Sequence, residues 1–268
     1  MKANQRKECH PLFVEGNRGV AVLIIHGFTG TPYEMYPVAE SLIAEGFTVS
    51  LPLLPGHGLE DASVFAHSRY RHWREAVFKE FEELRLNYQK VFVVGLSMGG
   101  TLSLDIAENL DPAGVVAIAP ALFINSTSRG IFTDIRLFAL PLLQHIIKKV
   151  GEEPELKAPE EGSKEPTYAY RGGIYLKPLA SLMKGMRRVR KNLGLISSPV
   201  MFIHAVGDKV VPYQNSIYGF NRVSSNIKEL HLINLTWQEG TSRHVITRNE
   251  ATQKRVTSLT LDFIKSNI

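Results

Sequence analysis

The chain has 268 residues, of which 44% are hydrophobic, 21% charged and 9% aromatic. This apolar content excludes an intrinsically disordered chain. The single cysteine, Cys9, excludes a disulfide framework and any zinc site with two or more cysteine ligands. The net charge is +5, from 31 basic and 26 acidic residues, and scattered surface lysines can account for it. A nucleic-acid partner is therefore not expected.

The sequence also lacks the pattern of a membrane span. The N-terminal segment is basic, but the apolar stretch that a signal peptide requires does not follow it. The most apolar later stretches, Val115–Ile124 and Ile131–Ile147, are too short or carry charged residues. We therefore expect a cytoplasmic protein without integral membrane association.

Short apolar runs alternate with longer helical patterns along most of the chain. The predicted strands are Leu12–Glu15, Val20–Ile25, Phe47–Leu51, Val91–Val94, Val115–Ile118, Val200–Ala205 and Glu229–Ile233. The predicted helices are Tyr33–Glu45, Tyr70–Asn87, Met98–Leu110, Leu179–Leu193, Tyr213–Val223 and Asn249–Ser266. Nearly continuous apolar strands separated by helices are typical of an α/β fold with a mostly parallel, doubly wound sheet.

One segment breaks this alternation. About 80 residues separate the strand that ends near Ala119 from the strand that begins at Val200, far more than a usual connection. They include a predicted helix over Ile131–Val150, interrupted at Pro141, and a charged loop over Glu152–Pro166. We interpret residues 121–196 as a helical cap, or lid, inserted into a core of residues 1–120 and 197–268. The apolar positions of the first cap helix fit either an acyl pocket or lipid-facing surface, or simple packing onto the core.

The strongest chemical motif is Gly95–Gly100 (GLSMGG), directly after a predicted strand and at the start of a helix. A serine at such a strand-to-helix turn has a strained backbone, and the residues two before and two after it must be small. Amides at the helix N-terminus then point toward an anion that forms beside the hydroxyl. The alternative is a helix-capping serine in a glycine-rich turn. We predict that Ser97 is a nucleophile.

A second motif, His26–Gly30 (HGFTG), follows the strand Val20–Ile25. Acyl transfer needs two donors directed at the developing oxyanion. The backbone amides of Met98, which follows the nucleophile, and of Phe28 are the candidates. An ordinary strand-to-helix turn is the alternative interpretation of this motif.

A serine nucleophile requires a base and a carboxylate that orients the base. Asp208 lies just after a predicted strand, and His244 lies in a loop before the last helix, which gives the chain order Ser, Asp, His. A turn-forming aspartate and a surface histidine are the alternatives. His204 and His231 are weaker candidates for the base because both lie within predicted strands.

These segments together resemble the α/β-hydrolase superfamily, and within it the bacterial carboxylesterase and monoacylglycerol lipase family. The matching segments are HPLFVEG, AVLIIHGFTGTP, LPLLPGHG, VVGLSMGG, SSPVMFIHAVGDKVVP and RHVIT. The resemblance implies Ser97 as nucleophile, Asp208 as the orienting carboxylate and His244 as base. It also implies an oxyanion hole from the amides of Phe28 and Met98, with no metal and no organic cofactor.

The function expected from the motifs and the resemblance is hydrolysis of short- to medium-chain carboxylic esters, including monoacylglycerols, through an acyl-enzyme on Ser97. A thioesterase would use the same residues, and a slow-turnover ligand receptor on the same scaffold is a further alternative. A peptidase is a third, although the sequence shows no dedicated group for a free amine. We expect a small ester or lipid as substrate and either a monomer or a homodimer.

Overall fold

A central β-sheet organises the computed structural model, which describes residues 9–59, 61–124, 143–150, 155–157, 169–171, 174–235 and 243–268. The strands in chain order are β1 (Leu12–Val14), β2 (Val20–Ile25), β3 (Thr48–Leu51), β4 (Lys90–Leu96), β5 (Gly114–Ile118), β6 (Lys149–Val150), β7 (Glu155–Lys157), β8 (Ala169–Arg171), β9 (Ile174–Tyr175), β10 (Val200–Val206) and β11 (Lys228–Asn234). Seven of them form one sheet in the order β1-β3-β2-β4-β5-β10-β11.

The pairing within this sheet confirms the predicted α/β class. β1 runs antiparallel to β3 at one edge. The neighbouring pairs from β3 to β11 are parallel. The central strands β2 and β5 are buried at every residue, because helices cover both faces of a parallel sheet.

The helices lie between the strands, as the alternation predicts. They are α1 (Tyr36–Ala44), α2 (Ala62–Ala66), α3 (Tyr70–Asn87), α4 (Met98–Leu110), α5 (Leu176–Asn192), α6 (Gln214–Phe220) and α7 (Gln253–Ser266). Within the described residues, no helix is long and apolar enough to cross a membrane.

Strand β2 shows how the core forms on both faces of the sheet. Successive side chains of a strand point to opposite faces. Val20, Val22 and Ile24 therefore pack with residues of α1 and α7 in one apolar cluster. Ala21, Leu23 and Ile25 join a second cluster with residues of α3 and α4. Helices cover both faces of the sheet, so the loops project from the ends of the strands.

Several predicted boundaries differ from those observed. The predicted helix Tyr33–Glu45 is divided into a 3₁₀ turn, Pro32–Met35, and α1. The last helix begins at Gln253 rather than Asn249, because the Asn249 side chain accepts a hydrogen bond from the Ala251 amide and holds a turn there. Helix α2 was not predicted, although its capping residue Asp61 accepts a hydrogen bond from the Ser63 amide at 2.8 Å.

The inserted segment differs more from the sequence prediction. Residues 131–142 of the predicted helix Ile131–Val150 lie outside the described residues, as does the predicted loop Glu152–Pro166 except for β7. Residues 143–146 are helical, but Lys149 and Val150 form β6, which pairs antiparallel with β9. The helix therefore ends earlier than predicted, because cross-strand hydrogen bonds take over the backbone.

Helix α5, which closes this segment, packs onto the body of the molecule. Leu182 and Met186 belong to the same apolar cluster as residues of α3 and α4. Gly185 lies against the ring of Tyr70 on α3, where an added Cβ would be 2.5 Å from the ring. The division into a core and a cap over residues 121–196 stays a prediction.

Candidate active site

Ser97 occupies a sharp turn between β4 and α4. Its backbone angles are φ 56° and ψ −115°, a conformation that few residues other than glycine adopt. The Ser97 amide donates to the carbonyl of Ile118 at 2.8 Å, and its carbonyl accepts from the amides of Thr101 and Ala121. These bonds anchor the strained turn to β5 and to the first turn of α4.

The glycines around Ser97 are required by close backbone contacts. A Cβ at Gly95 would lie 2.2 Å from the carbonyl oxygen of Gly99, and a Cβ at Gly99 would lie 2.1 Å from the carbonyl oxygen of Ile25. Real Cβ atoms do not approach that closely, so α4 can begin here only with glycine at these two positions. The packing explains the small residues that the motif contains.

Three residues from distant parts of the chain meet at this turn. The Ser97 hydroxyl lies 2.9 Å from Nε2 of His244, and Nδ1 of His244 lies 2.7 Å from Oδ2 of Asp208. Because a carboxylate accepts, Nδ1 carries the hydrogen and Nε2 presents its lone pair to the hydroxyl. The structure thus brings together the three residues selected from the sequence, in the geometry by which a base activates a hydroxyl nucleophile.

The Asp208 carboxylate is held by four donors. Oδ1 accepts from the amides of Val210 and Val211 at 2.8 and 3.0 Å, and Oδ2 accepts from His244 and lies 3.3 Å from Nε2 of His204. Burial alone would raise the pKa of Asp208, but the hydrogen bonds from His204 and His244 outweigh it and hold that pKa well below its ordinary value. Asp208 is therefore an anion at neutral pH.

The loop after β2 lies beside the nucleophile. A Cβ at Gly27 would be 3.5 Å from the Cβ of Ser97. The Gly30 amide donates to the Gly27 carbonyl at 3.2 Å across a tight turn, in which Thr29 has a φ of 60°. This turn includes Phe28, and Met98, the residue after Ser97, begins α4. The two residues predicted to supply the oxyanion donors therefore belong to segments next to the nucleophile, and their role stays a prediction.

Hydrogen bonds with two buried side chains, His26 and Glu34, hold this loop in place. His26 is fully buried, and burial lowers its pKa to about 4. The neutral ring donates from Nδ1 to the Gly27 carbonyl and accepts at Nε2 from the Leu54 amide. The Glu34 carboxylate accepts from the Gly27 amide at 3.1 Å. Glu34 also accepts at its backbone carbonyl from the Thr247 hydroxyl, which ties the loop to the segment of His244.

Aromatic rings pack against Phe28 in the Gly27–Gly30 turn. The ring of Phe28 meets those of Phe65 and Trp73 edge-on at centroid distances of 5.2 and 5.7 Å. His57 is buried against the same two rings. Close packing of this kind limits how far the loop can shift.

Sequence reasoning passed over two residues that contact this site. His204 was set aside as a base because it lies within a strand, and it does lie in β10, yet it contacts Asp208. Its signal was its position four residues before Asp208, on the strand β10 that leads into the turn of Asp208. Glu34 belongs to no motif, and only the tertiary structure shows that it binds the loop.

His231, the other histidine considered as a base, pairs with Glu229 on its own strand. Among the described residues, no group of three or more potential ligands could hold a metal ion.

Comparison with known families accords with this geometry. The family model Hydrolase_4, described as serine aminopeptidase, S33, matches residues 16–239. This chain belongs to that family of α/β-hydrolases. The match spans β2 to β11 and so includes the segments that carry Ser97 and Asp208.

Two curated relatives of this α/β-hydrolase are of bacterial origin. It is 34% identical over 221 residues to a thermostable monoacylglycerol lipase of Bacillus sp. (strain H-257), with 82% of each chain covered. It is 27% identical over 231 residues to a carboxylesterase of Bacillus subtilis (strain 168), with 85% of each chain covered.

A solved structure agrees with the fold of this α/β-hydrolase. It comes from a study of LipS and LipT, two metagenome-derived lipolytic enzymes, and superposes with a TM-score of 0.82 at 25% identity. The superposition covers 98% of this chain and 100% of the other. The predicted family and fold class are therefore both confirmed.

Proposed function

We propose that this α/β-hydrolase cleaves short- to medium-chain carboxylic esters, including monoacylglycerols, through an acyl-enzyme on Ser97. The observation that carries the proposal is the chain of hydrogen bonds from the Ser97 hydroxyl through His244 to Asp208, with lengths of 2.9 and 2.7 Å. The substrate class rests on the named monoacylglycerol lipase and carboxylesterase relatives.

Acylation would proceed from this hydrogen-bonded arrangement. Ser97 Oγ attacks the ester carbonyl carbon while Nε2 of His244 takes the hydroxyl proton. Asp208 stabilises the imidazolium that forms, since its carboxylate is ionised and already bound to Nδ1. His244 then returns the proton to the leaving alkoxide, and the acyl group stays on Ser97.

The developing oxyanion would be stabilised by the amides of Phe28 and Met98. Met98 is the first residue of α4, where backbone N–H groups have no partner within the helix and the helix dipole favours negative charge. The Gly27–Gly30 turn, held by Glu34, presents the second amide. Donors that are fixed in advance cost no reorganisation during the reaction. Water activated by His244 would then release the acid.

We infer that residues 121–196 act as a cap that selects the acyl chain. The segment begins directly after β5, at the sheet edge where ligands bind in α/β folds, and returns through α5 onto α3 and α4.

Ser97, Asp208 and His244 all come from one chain, so the site is complete in a monomer. A cytoplasmic location stays a prediction from the sequence.

The test is a series of p-nitrophenyl esters from acetyl to palmitoyl, with the wild type, Ser97→Ala and Ser258→Ala in parallel. We expect wild-type kcat/KM to peak at an intermediate chain length. Ser97→Ala should lower kcat by roughly 10⁴-fold or more. Ser258 is an exposed serine on α7, and its removal should leave the rate unchanged. Full activity in Ser97→Ala would refute the mechanism.

Substrates with other leaving groups distinguish ester hydrolysis from the alternative functions. Acyl-thioesters test the thioesterase, and aminoacyl p-nitroanilides test the aminopeptidase that the family description names. Esters should be preferred over both. A slow-turnover receptor would instead bind an ester analogue without sustained release of product, so multiple turnovers per enzyme would exclude it.

A further inference from the structure

A second histidine, His204, contacts the same carboxylate oxygen of Asp208 as His244. His204 is the fifth residue of β10 and is fully buried, as are Ser216 on α6 and the Asp208 side chain. Phe202, two residues earlier on the same face of β10, lies against α6 at Gly219. His204 therefore points between the sheet and α6, toward the turn that carries Asp208.

Every ring nitrogen of His204 has a defined contact. Nε2 lies 2.9 Å from the carbonyl oxygen of Val211 and 3.3 Å from Oδ2 of Asp208. Since a carbonyl and a carboxylate only accept hydrogen bonds, Nε2 must carry a hydrogen shared between them. Nδ1 lies 2.8 Å from the hydroxyl of Ser216, which fixes the plane of the ring.

These contacts close a ring of interactions around the carboxylate. The Val211 amide donates to Oδ1 of Asp208, and the Val211 carbonyl accepts from His204. With Oδ1 held by two amides, His204 and His244 share Oδ2. Charged side chains that flank this turn are Lys209, which is exposed, and Arg243, which donates to the Val206 carbonyl.

We propose that His204 is a positioning residue, which orients Oδ2 of Asp208 toward His244 and shares its negative charge. This inference rests on the proposed function, because it assigns His204 a role only if Asp208 and His244 act on Ser97. His204 does not reach the reacting atoms itself. Its effect is transmitted through one carboxylate oxygen that two imidazole rings contact.

Loss of His204 has two separable consequences. Without its hydrogen bond the carboxylate can rotate, and a misplaced base lowers kcat by about 10–100-fold while the substrate site, and hence KM, stays nearly unchanged. Without His204, Oδ2 of Asp208 loses one donor and keeps its contact with His244. More of the negative charge of that oxygen then acts on the His244 imidazolium and stabilises it more strongly. The acid limb of the kcat/KM profile should move upward by roughly half a pH unit.

The experiment compares pH profiles of kcat and kcat/KM for the wild type, His204→Leu and His204→Gln on the preferred p-nitrophenyl ester. His204→Leu should lower kcat and shift the acid limb as above. His204→Gln keeps a side-chain N–H donor and should restore most of kcat and the wild-type limb. Thr260→Val is the matched control, because it removes another fully buried polar group, a hydroxyl that donates to the Val256 carbonyl within α7.

The outcomes are distinguishable. If His204→Leu and Thr260→Val lose stability to a similar extent but neither shifts the acid limb, His204 has a purely structural role and the proposal is overturned. If His204→Leu does not fold, Ser216→Ala decides, because it removes the contact at Nδ1 that fixes the His204 ring: an unchanged kcat and an unchanged acid limb in Ser216→Ala overturn the proposal. Ser97→Ala is measured alongside, and full activity there would refute the proposed function itself rather than the role of His204.

Discussion

At position 97 a serine occupies a backbone conformation that favours glycine. With φ 56°, the residue carries strain of about 1–3 kcal/mol, and such strain persists only where the surroundings enforce it. Here the enforcing contacts are backbone hydrogen bonds to Ile118, Thr101 and Ala121. The strained turn places the hydroxyl at the carboxyl end of β4, within hydrogen-bond distance of His244.

Asp208 should contribute to the rate far more than to substrate binding. Asp208→Asn would replace an acceptor of the His244 Nδ1 hydrogen by a group that can donate, so that the ring turns or adopts the wrong tautomer. We expect kcat to fall by roughly 10⁴-fold, with KM changed by less than about threefold. Steady-state kinetics on a p-nitrophenyl ester would measure this. Asp262→Asn, an exposed carboxylate on α7, should have no effect.

Helix α4 and strand β2 approach each other more closely than side chains would permit. Gly99 in the first turn of α4 lies against the backbone carbonyls of Ile25 and His26 at the end of β2. This contact brings the start of the helix, and with it the Met98 amide, next to the loop of Phe28. The separation of these two elements therefore sets the width of the proposed oxyanion hole.

Gly99→Ala should accordingly destabilise the protein. The added Cβ would lie 2.1 Å from the Ile25 oxygen, and main-chain atoms cannot move aside cheaply. We expect the free energy of unfolding to fall by on the order of 3 kcal/mol, and activity to fall with it. Gly194→Ala is the matched control, since its Cβ would be 3.8 Å from the nearest atom, the Arg222 oxygen. Urea unfolding would measure both, and equal effects would contradict the packing argument.

At the scale of the whole molecule, a buried charge cluster joins α5 to the body. The Asp105 side chain on α4 is fully buried and accepts from Tyr70 at 2.8 Å, from Arg74 on α3 and from Arg188 on α5. Glu108, one turn further along α4, lies close to this anion. Burial and the charge of Asp105 together raise the pKa of Glu108 to about 8.

Glu108 should make stability fall as the pH rises. Its pKa is about 8 in the folded protein and ordinarily 4.5, so between these values the folded state binds more protons than the unfolded state. The free energy of unfolding then decreases with pH across this window. Urea unfolding at about pH 6 and about pH 8.5 should show a decline that is smaller in Glu108→Gln. An unchanged decline would contradict the assignment, and Glu83→Gln, an exposed site on α3, is the control.

Much of the fold and the site could be read from the sequence because the signals were local. The run VAVLII predicts β2 to the residue, and the patterns for α3 and α4 predict their observed bounds. Ser97, Asp208 and His244 each follow a predicted strand, and parallel strands bring their carboxyl ends to one edge. The end of the helix near residue 146 was not predictable, since it depends on pairing between Lys149–Val150 and Ile174–Tyr175.

Periodicity, glycine placement and chain order are local properties of the sequence, so they predict the α/β class, the strained serine turn and the three residues that meet there. Which groups hold those residues in place depends on how the chain packs in three dimensions. Glu34 reaches Gly27, and His204 reaches Asp208, through contacts that arise only when loops and helices pack. A buried polar side chain must find its partners in three dimensions, and no spacing along the chain specifies them.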